Sequence, residues 1–188
     1  MRKLYVPLVV GAAILGGAIA GTNFAGAASG NHSSYAEDRA EIQNLQARYM
    51  FAMDFRDADT YAGTFAPNGV LDFAGGVETG RAQIAGMING MKKRAAEAAA
   101  KDTSGLRPAR MRHNITNMVL KVDGDHAVGR AYWVAFNDNN PGRKAEIAGY
   151  GHYEDEMQKI DGHWYFTKRK IYNEQFAKRA AGDQNPAW

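Results

Sequence analysis

Apolar residues fall into helical rhythm once the first thirty or so residues are past. In YAEDRAEIQNLQARYMFAMD, from Tyr35, they occupy Ile42, Leu45, Tyr49, Ala52 and Met53. That three-and-four spacing predicts an amphipathic helix, with Ser33 or Ser34 as its cap and acids in its first turn. FRDADTYAGTFAPNG predicts a second, short helix with Asp57 as N-cap, ended by Pro67, Asn68 and Gly69. VLDFAGG reads as a short strand before a glycine turn. GRAQIAGMINGMKKRAAEAAAKD reads as a long, Ala-rich third helix, with Ile84, Met87, Ile88 and Met91 on one face. TSGLRPAR is a loop.

The pattern then changes to strands. Residues 111–122 and 126–136 flank DGD, a hairpin signal; NDNNPGR is a second turn. Residues 145–160 predict a long strand, DG turns at 161–162, and 163–173 pairs back. The order is helix, helix, strand, helix, four antiparallel strands. It predicts an α+β fold with three N-terminal helices packed on a strongly curved, mainly antiparallel sheet. Such a cone encloses a one-ended pocket of the kind that binds small ligands.

The chain has 188 residues, 45% hydrophobic and 11% aromatic, enough for one globular domain. Its start differs from the rest. MRK, an apolar small-residue run and AGAASGNHSS have the layout of a secretory signal peptide, with A-x-A-like sites around Ala25–Ala28. The competing reading is an uncleaved anchor of spanning length. The organisation expected is a signal peptide at 1–28, a linker at 29–34, a domain at 35–176 and a flexible tail at 177–188. Export to a bacterial periplasm or the medium follows, with no membrane contact after cleavage. The chain has no cysteine, which excludes disulfides, thiol nucleophiles and a lipoprotein anchor. Removing Arg2 and Lys3 takes the formal charge from +3 to +1. No basic stripe marks a nucleic-acid partner.

Chemistry has few places to sit. There is no G-x-G-x-x-G, P-loop, G-x-S-x-G or H-E-x-x-H, and no histidine pair has metal spacing. No metal or cofactor is therefore expected. His126 and His163 border tight turns and His32 lies in the linker. His152 alternates with Tyr150 and Glu154, opposite Gly151, Tyr153 and Asp155; either face could look inward. His113 shares strand parity with Met111, Ile115, Asn117 and Val119. It is either a satisfied core histidine or a base with a carboxylate partner. Tyr49 is either a core aromatic or a pocket phenol. Asp54 either caps the next helix or serves His113. On a regular helix Tyr49 and Asp54 stand about 140° apart, so they share no narrow face.

Several stretches together resemble one family. They are Y-x4-D-x2-D at 49, 54 and 57, F-x3-G-V-L-D-F from Phe65, G-R-A-Q-I at 80–84, R-H-N-I-T-N at 112–117 and GYGHYEDEMQKIDGHWYFTKRKI. Over residues 35–174 the chain resembles the SnoaL-like branch of the nuclear-transport-factor-2-like superfamily, which includes scytalone dehydratase and bile-acid 7α-dehydratase. The resemblance implies a cone-shaped α+β barrel, a homodimer or homotrimer, a small-molecule substrate and no cofactor. It implies catalysis by Tyr49, Asp54 and His113. The reaction implied is a dehydratase-type elimination on a cyclic or aromatic hydroxylated substrate. The family's alternatives are diarylpropane lyases releasing water and formaldehyde, ketosteroid isomerases, cyclases and non-catalytic binders. Met50, Met53, Phe73, Met87 and Met91 are expected to form an apolar pocket. Tyr61, Asp72 and Tyr150 are expected to add polar contacts. Tyr132 or Trp133 falls near the place of scytalone dehydratase's second strand histidine. Residues 92–109 look like an expansion that enlarges or lids the pocket, or mediates assembly.

Overall fold

The computed structural model of the chain describes residues 34–188. The expected signal peptide and all of the linker but Ser34 lie outside them. Helix α1, Tyr35–Phe55, starts with a capping box in which Ser34 and Glu37 bond each other's main chain. It stops where Arg56 turns left-handed, at φ 53°. Helix α2, Ala58–Gly63, is capped by Asp57 through the Thr60 N–H at 3.1 Å. The chain then enters strand β1, Phe65–Phe73, earlier than its pattern suggests. Phe65 is fully buried beside its partner Phe166 on another strand, and that burial outweighs a further helical turn. Strand β2, Gly76–Thr79, leads into helix α3, Gly80–Lys101. Strands β3 (Met111–Asp123), β4 (His126–Asn137), β5 (Glu146–Ile160) and β6 (His163–Ile171) follow.

The six strands form one curved, unclosed sheet in the order β2-β1-β6-β5-β4-β3. All pairs are antiparallel except β1 with β6. Three helices pack on it, so the expected α+β cone is the fold. Inward faces are set by alternation. On β4, Ala127, Ala131, Trp133 and Ala135 are buried. On β5 the inward set is Gly151, Tyr153, Asp155 and Met157, which settles the face that the sequence left open. On β3 a bulge lies between Thr116 and Val119, with Asn117 at φ 53°. It shifts the parity. Ile115 packs on the core before it, and Met118, Leu120 and Val122 do so after it. Val119, expected on the His113 face, is exposed instead.

After β6 the chain crosses Gly151. A β-carbon there would lie 2.1 Å from the Tyr172 carbonyl oxygen, so only glycine permits the crossing. In the segment expected to be a tail, Arg179 bonds Asp72 at 2.5 Å and the Lys121 ammonium lies 4.4 Å from the Trp188 ring.

Candidate active site

The end of α1 faces the edge strand β3, and there Asp54 meets His113. One carboxylate oxygen accepts from the His113 main-chain N–H at 3.1 Å; the other is 2.6 Å from ring Nδ1. Both side chains are largely buried, 5% exposed for Asp54 and 11% for His113. A carboxylate accepts, so it selects the tautomer with the proton on Nδ1 and leaves the Nε2 lone pair free. Among the described residues Nε2 has no hydrogen-bond partner. A negative charge near a helix C-terminus is unfavourable by itself; here it is spent on fixing strand and ring together.

His113 lines a cavity of about 120 Å³ inside the cone. Tyr49, Tyr61, Met50, Met53, Phe73, Met87 and Met91 line it too. Tyr49 and Asp54 do not share a face, as their angular separation requires. Tyr49 lines this inner cavity, and Asp54 lines a groove between α1 and β3. His113 belongs to both and stands between them.

Three of the expected contacts fall elsewhere. Leu71 and Phe73 point inward on β1, so alternation turns Asp72 away, and it pairs with Arg179. Tyr132 neighbours inward-facing Trp133, and Tyr150 neighbours inward-facing Gly151. Both tyrosines therefore stand on the outer sheet face, each 53% exposed. His152 is also on that face, stacked on Tyr172 with ring centroids 4.4 Å apart. The expansion at 92–109 helps to wall a separate open cleft of about 920 Å³, lined by neither Tyr49 nor His113.

Trp133, rather than its alternative Tyr132, lines the cavity, and so do residues not proposed for the site from the sequence: Leu71, Ala74, Tyr153, Ile171 and Asn173. Trp133 is steadied by its indole N–H, which donates to the Tyr172 carbonyl at 3.0 Å. Beneath Tyr49 lies a fully buried ion pair. Arg169 donates from Nε and Nη2 to Asp155 at 2.8 and 2.7 Å. Gln46 donates to Asp155 at 2.8 Å and accepts from Arg169. The guanidinium carbon is 4.2 Å from the Tyr49 and Tyr153 ring centres and 3.9 Å from that of Phe166. Burial alone would lower the Arg169 pKa, but Asp155 more than offsets this and the cation is held charged.

That cation acts on the phenols above it. Tyr61 donates to the Tyr49 hydroxyl at 2.7 Å. Burial raises the pKa of Tyr49, Tyr61 and Tyr153 alike. At Tyr49 the rise is opposed by Arg169 and by the hydrogen bond from Tyr61. Tyr61 is pushed well above its ordinary value, by burial and then by Tyr49. Tyr153 is likewise pushed well above its ordinary value, so of the three phenols Tyr49 is the one raised least. Tyr61 is the donor in their shared bond, so that bond does not use the Tyr49 proton. No three histidine or acidic side chains gather as a metal site among the described residues.

Residues 34–170 match the SnoaL-like domain family. No curated protein matches the sequence significantly. Among solved structures, a Mycobacterium tuberculosis protein of unknown function is similar, at 28% identity and TM-score 0.63, covering 79% of this chain and 80% of that one. A Nostoc punctiforme protein of unknown function with a cystatin-like fold is 27% identical, TM-score 0.60, covering 73% and 92%. A Novosphingobium aromaticivorans protein provisionally assigned as a scytalone dehydratase is 20% identical, TM-score 0.58, covering 73% and 85%. At that identity the last likeness is one of fold alone.

Proposed function

The chain belongs to the SnoaL-like family, and from that premise we propose that it is a cofactor-independent lyase of the dehydratase type. The observation that carries this reading is the double bonding of Asp54 to His113, which frees Nε2 at a cavity that Tyr49 also lines. His113 Nε2 takes a proton from a carbon beside a hydroxylated carbon. The C–H electron pair becomes the new C=C bond as the C–O bond breaks. Tyr49 protonates the departing hydroxyl, which leaves as water, and the proton on His113 returns to Tyr49. Asp54 stabilises the imidazolium between these steps. Arg169 and Tyr61 stabilise the oxygen of Tyr49 while its proton is away.

The cavity is close in size to the roughly 150 Å³ that admits benzene in an engineered core. It suits one ring of a small cyclic or aromatic substrate. Met50, Met53, Met87 and Met91 supply an adaptable wall. Export and self-association belong to the same proposal. They rest on the apolar run near the N-terminus and on exposed Tyr132 and Tyr150 across the outer sheet face. The experiment that tests the reaction is incubation with phenolic diols and hydroxysteroids, reading product mass. Loss of one water supports elimination; an unchanged mass with a new chromatographic position means isomerisation instead.

A further inference from the structure

The α1/β3 groove on the other side of His113 has a volume of about 680 Å³, within the range of ligand sites. His113 and Met50 are the residues common to its wall and that of the inner cavity. Met50 is unbranched and adaptable. A ligand that occupies both compartments lies against His113 and Met50.

The groove's charge is unbalanced. Asp54 is the only acid lining it, and both its oxygens are engaged by His113. Two cations line it, Arg39 from α1 and Arg112 from β3. Among the described residues neither forms a salt bridge. Arg39 donates to the Tyr35 hydroxyl at 3.3 Å and the Met118 carbonyl at 3.4 Å. Arg112 donates to the Met111 carbonyl at 2.6 Å and lies 4.8 Å from the Phe55 ring centre. All four partners are neutral, so both charges stay uncompensated. Asn114, Thr116 and Asn117, also on the groove wall, are exposed hydrogen-bonding side chains.

We propose that this groove is the second compartment of the substrate site and holds an anionic arm, of carboxylate type, on a substrate whose ring lies in the inner cavity. The inference rests on the reading of His113 as the reacting base. A guanidinium fork matches a carboxylate's two oxygens, and a groove with two uncompensated guanidinium groups selects that charge over a neutral or cationic arm.

Three probes share a phenol and differ in the arm: 3-(4-hydroxyphenyl)propionate (anionic), 4-ethylphenol (neutral) and tyramine (cationic). Calorimetric titration of the purified protein at low salt should show the anionic probe binding about five-fold or more tighter than 4-ethylphenol, and tyramine weaker than both. High salt should shrink the preference. In R39Q/R112Q the anionic probe should fall to the affinity of 4-ethylphenol measured in the same variant. Equal affinity of the three probes, no binding by any of them, or a preference that survives in R39Q/R112Q overturns the proposal. Binding is read without turnover, so a negative result here leaves the elimination chemistry untouched. A negative turnover panel leaves this result equally untouched.

Discussion

Asp54 holds His113 at two points, the main-chain N–H at 3.1 Å and ring Nδ1 at 2.6 Å. The first bond fixes the edge of β3 against the end of α1. The second sets the ring's tautomer and its angle. One carboxylate therefore both closes a contact between elements and orients a base. Asp54→Asn separates the two roles. The amide can still accept the main-chain bond, but its NH₂ facing Nδ1 would move the ring proton to Nε2. Turnover should fall by roughly a hundred-fold or more, while stability falls by only about 1–3 kcal/mol. Nitrogen NMR of the His113 ring should report the tautomer change. An unchanged tautomer would contradict the assignment of Asp54.

The buried phenols make stability sensitive to alkali. Tyr49, Tyr61 and Tyr153 have folded pKa values raised by burial above those of the unfolded chain. The folded state holds these protons more tightly, so their contribution is complete below the ordinary tyrosine pKa of about 10 and is lost as pH climbs past it. Ultraviolet phenolate absorbance should show the buried three ionising only with unfolding. Ionisation of all tyrosines in a single early step, with the fold intact, would contradict this.

Arg169→Met strands Asp155 in the core without its cation. Breaking a fully buried pair from one side costs about 3–5 kcal/mol, read as a lower urea midpoint. The double change Arg169→Met with Asp155→Leu removes the orphaned charge and should recover part of that loss. It should not recover turnover, because Tyr49 then lacks the cation beside it.

Gly151→Ala places a β-carbon 2.1 Å from the Tyr172 carbonyl oxygen. That oxygen accepts from Trp133, which lines the cavity. The variant should melt at lower temperature and show altered tryptophan fluorescence. Gly182→Ala, where nothing lies within 4 Å, serves as the neutral control.

Much of this architecture is legible in the sequence because it follows from periodicity. The α1 stripe through Ile42, Leu45 and Tyr49, the Ile84–Ile88 face of α3 and the turn-bounded strands are of that kind. Other features are hidden for physical reasons. Strand β2 spans four residues, too few to show alternation. Phe65 suits a helix end as well as a strand until Phe166 is placed beside it. The β3 bulge at Asn117 reverses a parity that a straight strand would keep, so Val119 is exposed and not on the His113 face that unbroken alternation predicts. On β5 both faces carry aromatic and acidic residues, and only the fold shows that Tyr153 is inside and Tyr150 outside. Arg169, Asp155 and Gln46 look like surface residues one at a time; their burial depends on partners 14 and 123 residues apart. The residues alone leave Asp54 open between a helix cap and a partner of His113, and the family resemblance favours the partner, although the helical angle of Asp54 points away from Tyr49. That angle proves informative, because the carboxylate stands on the far side of the imidazole from the cavity.

The most direct measurement compares wild-type protein and His113→Ala on the same hydroxylated panel, with product mass and initial rate read together. The account predicts a wild-type product lighter by one water, and a rate at least about a hundred-fold lower in the variant. A His113→Ala protein that eliminates water at the wild-type rate would contradict it.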